Sequence, residues 1–191
     1  MRARLAICSA GVDVRLREVV LKDKPQAFLE VSPSATVPCL VTDQQVVDES
    51  LDIMVWALSQ NDPEHWLEMP EAGWELIAQC DGPFKHALDR AKYATRYPDE
   101  DTGVHRAKAE EFLEKLDRRI DKWLFERPTL ADYALLPFVR QFAFIDKPAF
   151  DALPLPNLQG WLSTFLDGSR LSAIMHKYPQ WHAGETEPRF P

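Results

Sequence analysis

Two runs of residues hold the side chains whose types and order could do chemistry: Ser32-Pro33-Ser34-Ala35-Thr36-Val37-Pro38-Cys39-Leu40 and Val46-Val47-Asp48-Glu49-Ser50. The second leads into Leu51, Met54, Val55 and Leu58, which recur at i, i+3, i+4 and i+7 and so define one face of a helix. Asp48 is placed to cap that helix. Glu49 and Ser50 fall at its start, where unpaired backbone N–H groups and the positive end of the helix dipole favour an anion. The same positions also suit ordinary first-turn residues. Pro38 follows a turn and opens an apolar run that reads as a strand. Cys39, beside it, should point into the sheet packing, where a thiol behaves as an inert small hydrophobe.

Other chemistries lose support. The five histidines, His65, His86, His105, His176 and His182, form no HExxH or other compact metal signature, so no metal is expected. There is no GxSxG, phosphate loop or dinucleotide fingerprint, and 7 glycines against 15 prolines leave little material for one. Kinase, hydrolase and dehydrogenase readings fall away. Lys plus Arg total 22 against 30 Asp plus Glu, a net charge of −8, which disfavours nucleic acid and anionic membrane surfaces as partners. Cys8, Cys39 and Cys80 form no CxxC pair and leave one over if any disulfide forms, which points to a reducing, cytoplasmic setting. No apolar stretch approaches the roughly 20 residues that cross a bilayer. The run in MRARLAICSAG is too short for an export signal.

The elements that must position these two runs can be read from the change of period along the chain. The 191 residues, 46% hydrophobic and 27% charged, suffice for one large or two small globular domains. Val14 to Val20 alternates like a strand, Pro25 to Glu30 suits a short helix with Pro25 at its first position, and Pro38 to Thr42 and Gln45 to Val47 read as strands joined at Asp43-Gln44. After the turn residues Asn61-Asp62-Pro63 the period becomes helical. Trp74, Ile77, Phe84, Leu88 and Ala91 share one face, with Pro83 a kink site. Leu113, Leu116, Ile120 and Trp123 share another. A third helix opens at Thr129, where Thr129 and Asp132 have the spacing of a capping box, so Asp132 reads as a structural cap. Further helices are expected at Leu158 to Leu166 and Leu171 to Lys177. No strand is expected beyond Glu71, and the tail from Glu185 to Pro191 should lie loosely on the surface. The expectation is a mixed α/β domain over residues 1–61 and an all-helical domain over residues 62–191.

Taken together, Ala35-Thr36-Val37-Pro38-Cys39-Leu40, Glu49-Ser50 at a helix start, Leu21-Lys22-Asp23-Lys24-Pro25 and the Thr129 to Asp132 cap resemble the glutathione transferase superfamily, in the same order over nearly the whole chain. The resemblance implies a thioredoxin-like N-terminal domain packed on a C-terminal helical bundle, and a homodimer. It implies a cis peptide before Pro38, with the backbone of Val37 offered to the cysteinyl part of glutathione. Ser50 and the helix N–H groups would receive the γ-glutamyl carboxylate and Glu49 its ammonium. Lys24 matches a lysine that omega-like members place near the tripeptide. Phe84-Lys85, Asp89-Arg90, Lys92-Tyr93 and Arg96-Tyr97 fall on a helix that in the family borders the second-substrate pocket, although a solvated face would explain their charges equally well.

Two departures qualify the resemblance. Ala35 stands where the family usually has glycine. The family's catalytic Tyr, Ser or Cys sits at the end of the first strand or the start of the first helix, and by that alignment Met1 already lies inside the helix. The first strand and catalytic residue are therefore expected upstream of Met1, and residues 1–191 alone should be a poor catalyst of glutathione chemistry; either the natural protein begins upstream, with Met1 an internal methionine, or this form is unstable or borrows a strand from a partner. Cys8 lies about ten residues beyond the expected place, roughly 15 Å along a helix, and cannot substitute. The expected function is a glutathione-dependent transferase or thiol reductase acting on small electrophiles or glutathione mixed disulfides, with glutathione as cosubstrate. The alternative is a non-catalytic member used for binding or assembly.

Overall fold

The computed structural model describes residues 1–191, which form two compact units: Met1–Leu67 together with Ser169–Pro191, and Glu68–Gly168. This partition places residues 62–67 and 169–191 with the N-terminal part, whereas the sequence reading grouped 62–191.

In the first unit, helix α1 (Arg2–Ala10) packs on helix α3 (Ser50–Gln60), and strand β1 (Val14–Arg15), the single turn α2 (Gln26–Leu29), strand β2 (Leu40–Val41) and strand β3 (Val46–Val47) lie between them in the chain. Leu5, Ala6, Ile53, Met54, Ala57 and Leu58 are buried at 2% exposure or less, so the 3.6-residue period of both helices is spent on their common contact. Helix α1 ends at Gly11, whose φ of 64° is the left-handed geometry a helix C-terminus asks of glycine. Strands β2 and β3 pair antiparallel with Leu40 opposite Val47 and Val41 opposite Val46, and Asp43 and Gln44 form the turn, as the sequence indicates. Thr42 closes it, its hydroxyl accepting from the amides of Gln44 and Gln45 at 3.2 and 3.0 Å. Pro25 flanks α2 rather than opening it.

The C-terminal tail overturns two expectations. Helix α10 (Ser169–Ile174) is followed by strand β4 (Arg189–Phe190), which pairs antiparallel with β1, Val14 opposite Phe190 and Arg15 opposite Arg189. A strand therefore exists beyond residue 71, and the tail is not loose: Trp181 and Phe190 are 8% and 3% exposed. The amides of Leu16 and Trp181 extend the pairing through Pro188 O and Glu18 O at 2.9 and 3.0 Å. Arg4 binds the tail as well, donating to Ile174 O and His176 O at 3.2 Å while its guanidinium lies 5.8 Å from the Phe190 ring centre. The strand expected over Val14 to Val20 contracts to two residues because its only neighbour is this short segment. No period betrays so brief a strand in a sequence.

The second unit is helical. Helix α4 (Glu71–Gln79) runs through a π-helical turn at Cys80–Phe84 into helix α5 (Lys85–Lys92). Pro83 lies inside that turn; it has no N–H to donate, and the widened turn takes up the irregularity. Helix α6 (Thr102–Arg119) is capped by Asp101, which accepts from the Gly103 amide at 2.7 Å. Helices α7 (Leu130–Ala143), α8 (Lys147–Asp151) and α9 (Pro156–Leu166) complete the unit. Its core holds Ile77, Phe84, Leu88, Leu113, Leu116, Leu135, Phe150 and Leu158, each at 1% exposure or less. Trp123 does not continue the α6 face. The chain leaves the helix in an extended conformation at Ile120, and Trp123 meets the edge of Phe165 with ring centres 5.6 Å apart.

Asp132 explains that departure. Buried at 0% exposure, it accepts from the amides of Leu124 at 3.0 Å and Thr129 at 2.9 Å, from the Thr129 hydroxyl at 3.2 Å and from Trp161 Nε1 at 2.9 Å. The capping box at Thr129 is present. The same carboxylate fastens the 120–129 loop and α9, so it serves more than the helix start. Burial raises its pKa above the ordinary carboxylate value, the hydrogen bonds opposing that rise without cancelling it.

Candidate functional site

The Ser32–Leu40 segment leaves α2 through a turn in which the amide of Ala35 reaches Ser32 O at 3.1 Å. Ala35 has φ 52°, a left-handed conformation that glycine adopts freely and an alanine Cβ resists. The Val37–Pro38 peptide is cis. Val37 is 43% exposed, so its backbone borders solvent while Pro38, Cys39 and Leu40 turn inward to half-buried positions.

Asp48 does not cap α3, contrary to the sequence expectation. Glu49 holds the cap position without a side-chain hydrogen bond, and Asp48 turns back to the Ser32–Thr36 turn. Its Oδ1 accepts from the Ser32 hydroxyl at 2.8 Å and its Oδ2 from the Ser34 amide at 2.9 Å. Those bonds, led by Ser34, hold the Asp48 carboxyl below its ordinary pKa. This link was missed because a short-range cap and a bond back over 14 residues ask for the same residue type. Its consequence is positional: the anchored turn lies three residues before Val37, and Asp48 lies directly before Glu49 and Ser50.

At the start of α3, Glu49 is exposed and Ser50, the first helical residue, is partly exposed. The first-turn N–H groups have no side-chain cap, so this helix end keeps its donors for another acceptor. Lys24 is half-buried on a separate turn, just past the isolated Val20–Asp23 bridge, where Gln180 Nε2 holds Asp23 Oδ2 at 2.9 Å.

Cys39 is not poised as a nucleophile. Burial pushes its thiol pKa up, and the neighbouring Asp48 carboxylate adds to the rise as hydrogen-bond acceptor and as negative charge. At neutral pH such a thiol holds even less thiolate than a free cysteine. The groups expected on one helix are divided, with Phe84 in the π-helical turn, Lys85, Asp89, Arg90 and Lys92 on α5, and Tyr93, Arg96 and Tyr97 beyond its end, and the charged ones find partners nearby. Lys85 pairs with Asp89 at 2.5 Å, Arg90 Nε donates to both Glu100 oxygens at 3.0 and 2.8 Å, and Arg96 lies over Tyr93 at 4.5 Å. Phe84 points into the core against Phe112, with ring centres 4.8 Å apart.

A small mixed α/β unit and a helical unit, with a cis proline before a β-hairpin and an open helix start just after it, define the class of glutathione transferase-like proteins. The family models agree. Residues 1–66 match "Glutathione S-transferase, N-terminal domain" and residues 51–183 match "Glutathione S-transferase, C-terminal domain", and the chain belongs to this family. Among solved structures it is similar to BphK, a bacterial glutathione transferase solved as a ternary complex, with a TM-score of 0.77 and 19% identity over 91% of this chain and 92% of that one. It is also similar to glutathione transferase Omega 3C from Trametes versicolor, with a TM-score of 0.76 and 16% identity over 94% and 85%. A delta-class glutathione transferase of Nilaparvata lugens matches with a TM-score of 0.69 and 25% identity over 88% and 84%. No helix of the chain is long and apolar enough to cross a membrane.

Proposed function

We propose that the first unit binds glutathione, with the Val37 backbone facing the cysteinyl part, the Ser50 hydroxyl and α3 amides receiving the γ-glutamyl carboxylate, and Glu49 pairing with its ammonium. The observation that carries this reading is the α3 start, which has free N–H donors and no side-chain cap because Asp48 is committed to the Ser32–Thr36 turn. A carboxylate there gains the helix dipole and charge-assisted hydrogen bonds together. Lys24 adds positive charge for a ligand of net negative charge.

The reaction class follows from family membership: glutathione-dependent transfer to small electrophiles, or thiol reduction of glutathione mixed disulfides. Both run through a thiolate, which attacks carbon in one case and disulfide sulfur in the other. Cys39, with its raised pKa, is not assigned that role. A homodimer in the cytoplasm is part of the same proposal, carried by the resemblance and by the sequence.

The test is calorimetric titration of the chain with glutathione. Ser50→Ala removes a hydroxyl from a charged ligand group, a loss of roughly 1.5–3 kcal/mol or about ten-fold to over a hundred-fold in affinity, and Glu49→Ala should weaken binding similarly. Unchanged affinity in both variants refutes the site. Conjugation or disulfide reduction by the chain would favour the enzyme over a non-catalytic binding module.

A further inference from the structure

We propose that His86, Glu100 and His105 form a binding site for a divalent transition-metal ion, Zn2+ being the ion their donors suit, independent of the glutathione site. The sequence expectation of no metal rested on spacing, and the fold removes that objection. His86 stands on the first turn of α5, His105 in the first turn of α6, and Glu100 on the loop joining the two helices. One nitrogen from each imidazole and one carboxylate oxygen all lie within 4.8 Å of one another. His105 Nε2 is 2.6 Å from Glu100 Oε2, and the two imidazole rings stand 5.9 Å apart at 56°.

A zinc ion about 2.0–2.1 Å from each donor would set neighbouring donors about 3.3 Å apart, so closing the site takes a movement of about 1.5 Å. His86 and Glu100 are exposed and can make it once Arg90 releases them, whereas His105, 8% exposed, is the fixed member. Two imidazoles and one carboxylate suit zinc, while Mg2+ and Ca2+ prefer oxygen donors alone. Three protein donors leave a fourth position for water.

Two further observations bear on this site. His105 Nδ1 is buried without a hydrogen-bond partner. The 2.6 Å contact with the Glu100 carboxylate, which can only accept, keeps the proton on Nε2 in the metal-free chain, so binding a metal at Nε2 moves that proton to the unpartnered Nδ1. The second is Arg90, which already places a cation in the cluster. Besides its two bonds to Glu100, its Nη1 lies 3.1 Å from His86 Nδ1, and its guanidinium rests 4.5 Å from the Tyr97 ring centre. The metal must displace this guanidinium from Glu100 and His86, which makes Arg90 a competitor and not a ligand.

The experiment is calorimetric titration of the metal-free chain with Zn2+ at about pH 7.5, where imidazole ligands bind as the neutral form. Thermal melting of each variant without metal shows whether it is folded. One zinc per chain is expected, with affinity falling about ten-fold or more in His86→Ala and in Glu100→Gln, and rising in Arg90→Gln. His86 is exposed, so its replacement leaves the core untouched. No binding up to about 1 mM Zn2+ overturns the proposal, as does His86→Ala binding zinc like the wild type. An Arg90→Gln variant that binds no more tightly overturns the competition. Glutathione affinity should be the same in all three variants, which separates failure of this site from failure of the other.

Discussion

Replacing Asp132 with alanine should be among the most damaging single changes in the helical unit. The carboxylate is fully buried and serves four donors on three segments: the Leu124 amide, the Thr129 amide and hydroxyl, and Trp161 Nε1. The hydroxyl can rotate to another acceptor, but the two amides and the indole N–H cannot. An orphaned buried donor costs about 1–3 kcal/mol, so three of them come to about 3–9 kcal/mol. Water entering the vacated space and the removal of a buried carboxylate both relieve part of this. A net loss of about 3–5 kcal/mol is expected, a large part of the roughly 5–15 kcal/mol that holds a folded protein together. For a chain of this length that is about 6–20 °C in Tm. Urea denaturation read by tryptophan fluorescence measures it, since Trp161 reports on the same site. Trp161→Phe removes one donor and should cost about 0.5–1.5 kcal/mol, and the double variant should lose less than the sum because the two share that bond. A loss under about 1 kcal/mol for Asp132→Ala would refute the reasoning, since no arrangement of three stranded donors is so cheap. The pH dependence supplies a second check. Burial raises the Asp132 pKa in the folded state, so between its ordinary value of 3.8 and the raised one the folded chain binds more protons than the unfolded. Its contribution to stability is therefore fully present below the ordinary value and declines as pH rises through the folded one, and Asp132→Asn should abolish that slope.

Two other changes test how the first unit is held. Ala35→Gly should stabilise the chain by about 0.5–1 kcal/mol, because it relieves a left-handed alanine at some entropic cost in the unfolded state; a loss of stability in denaturant titration would contradict this. Phe190→Ala should cost about 3 kcal/mol and speed hydrogen exchange at the Leu16 amide, which bonds to Pro188 O beside β4. Unchanged exchange at Leu16 would mean that the tail does not fasten β1.

Much of this protein can be read from its sequence where the controlling interaction is local. The i, i+3, i+4 pattern of Leu51 to Leu58 gives α3, and Thr129 to Asp132 gives the start of α7, because the residues that decide each helix lie within one or two turns of it. The turn at Asp43-Gln44 is decided by its own four residues, and Pro83 marks the irregular turn it occupies. The order of motifs was enough to identify the family.

What the tertiary structure alone decided are the interactions that span long stretches of chain. Asp48 could cap α3 or hold the Ser32–Thr36 turn, and only the folded chain shows the second, which leaves the α3 amides open beside Glu49 and Ser50. Asp132 reads as a cap from its spacing, yet its bond to Trp161 crosses 29 residues. The tail has no strand period, and it becomes a strand because β1 presents unpaired backbone donors and acceptors to it, a demand set by an edge more than 170 residues earlier. His86 and His105 share no sequence signature because the hairpin of α5 and α6, not a helical repeat, brings them together. Sequence period records which face of an element is apolar; the polar groups that meet across the fold leave no such record, and their pairing is settled only when burial obliges each to find a partner.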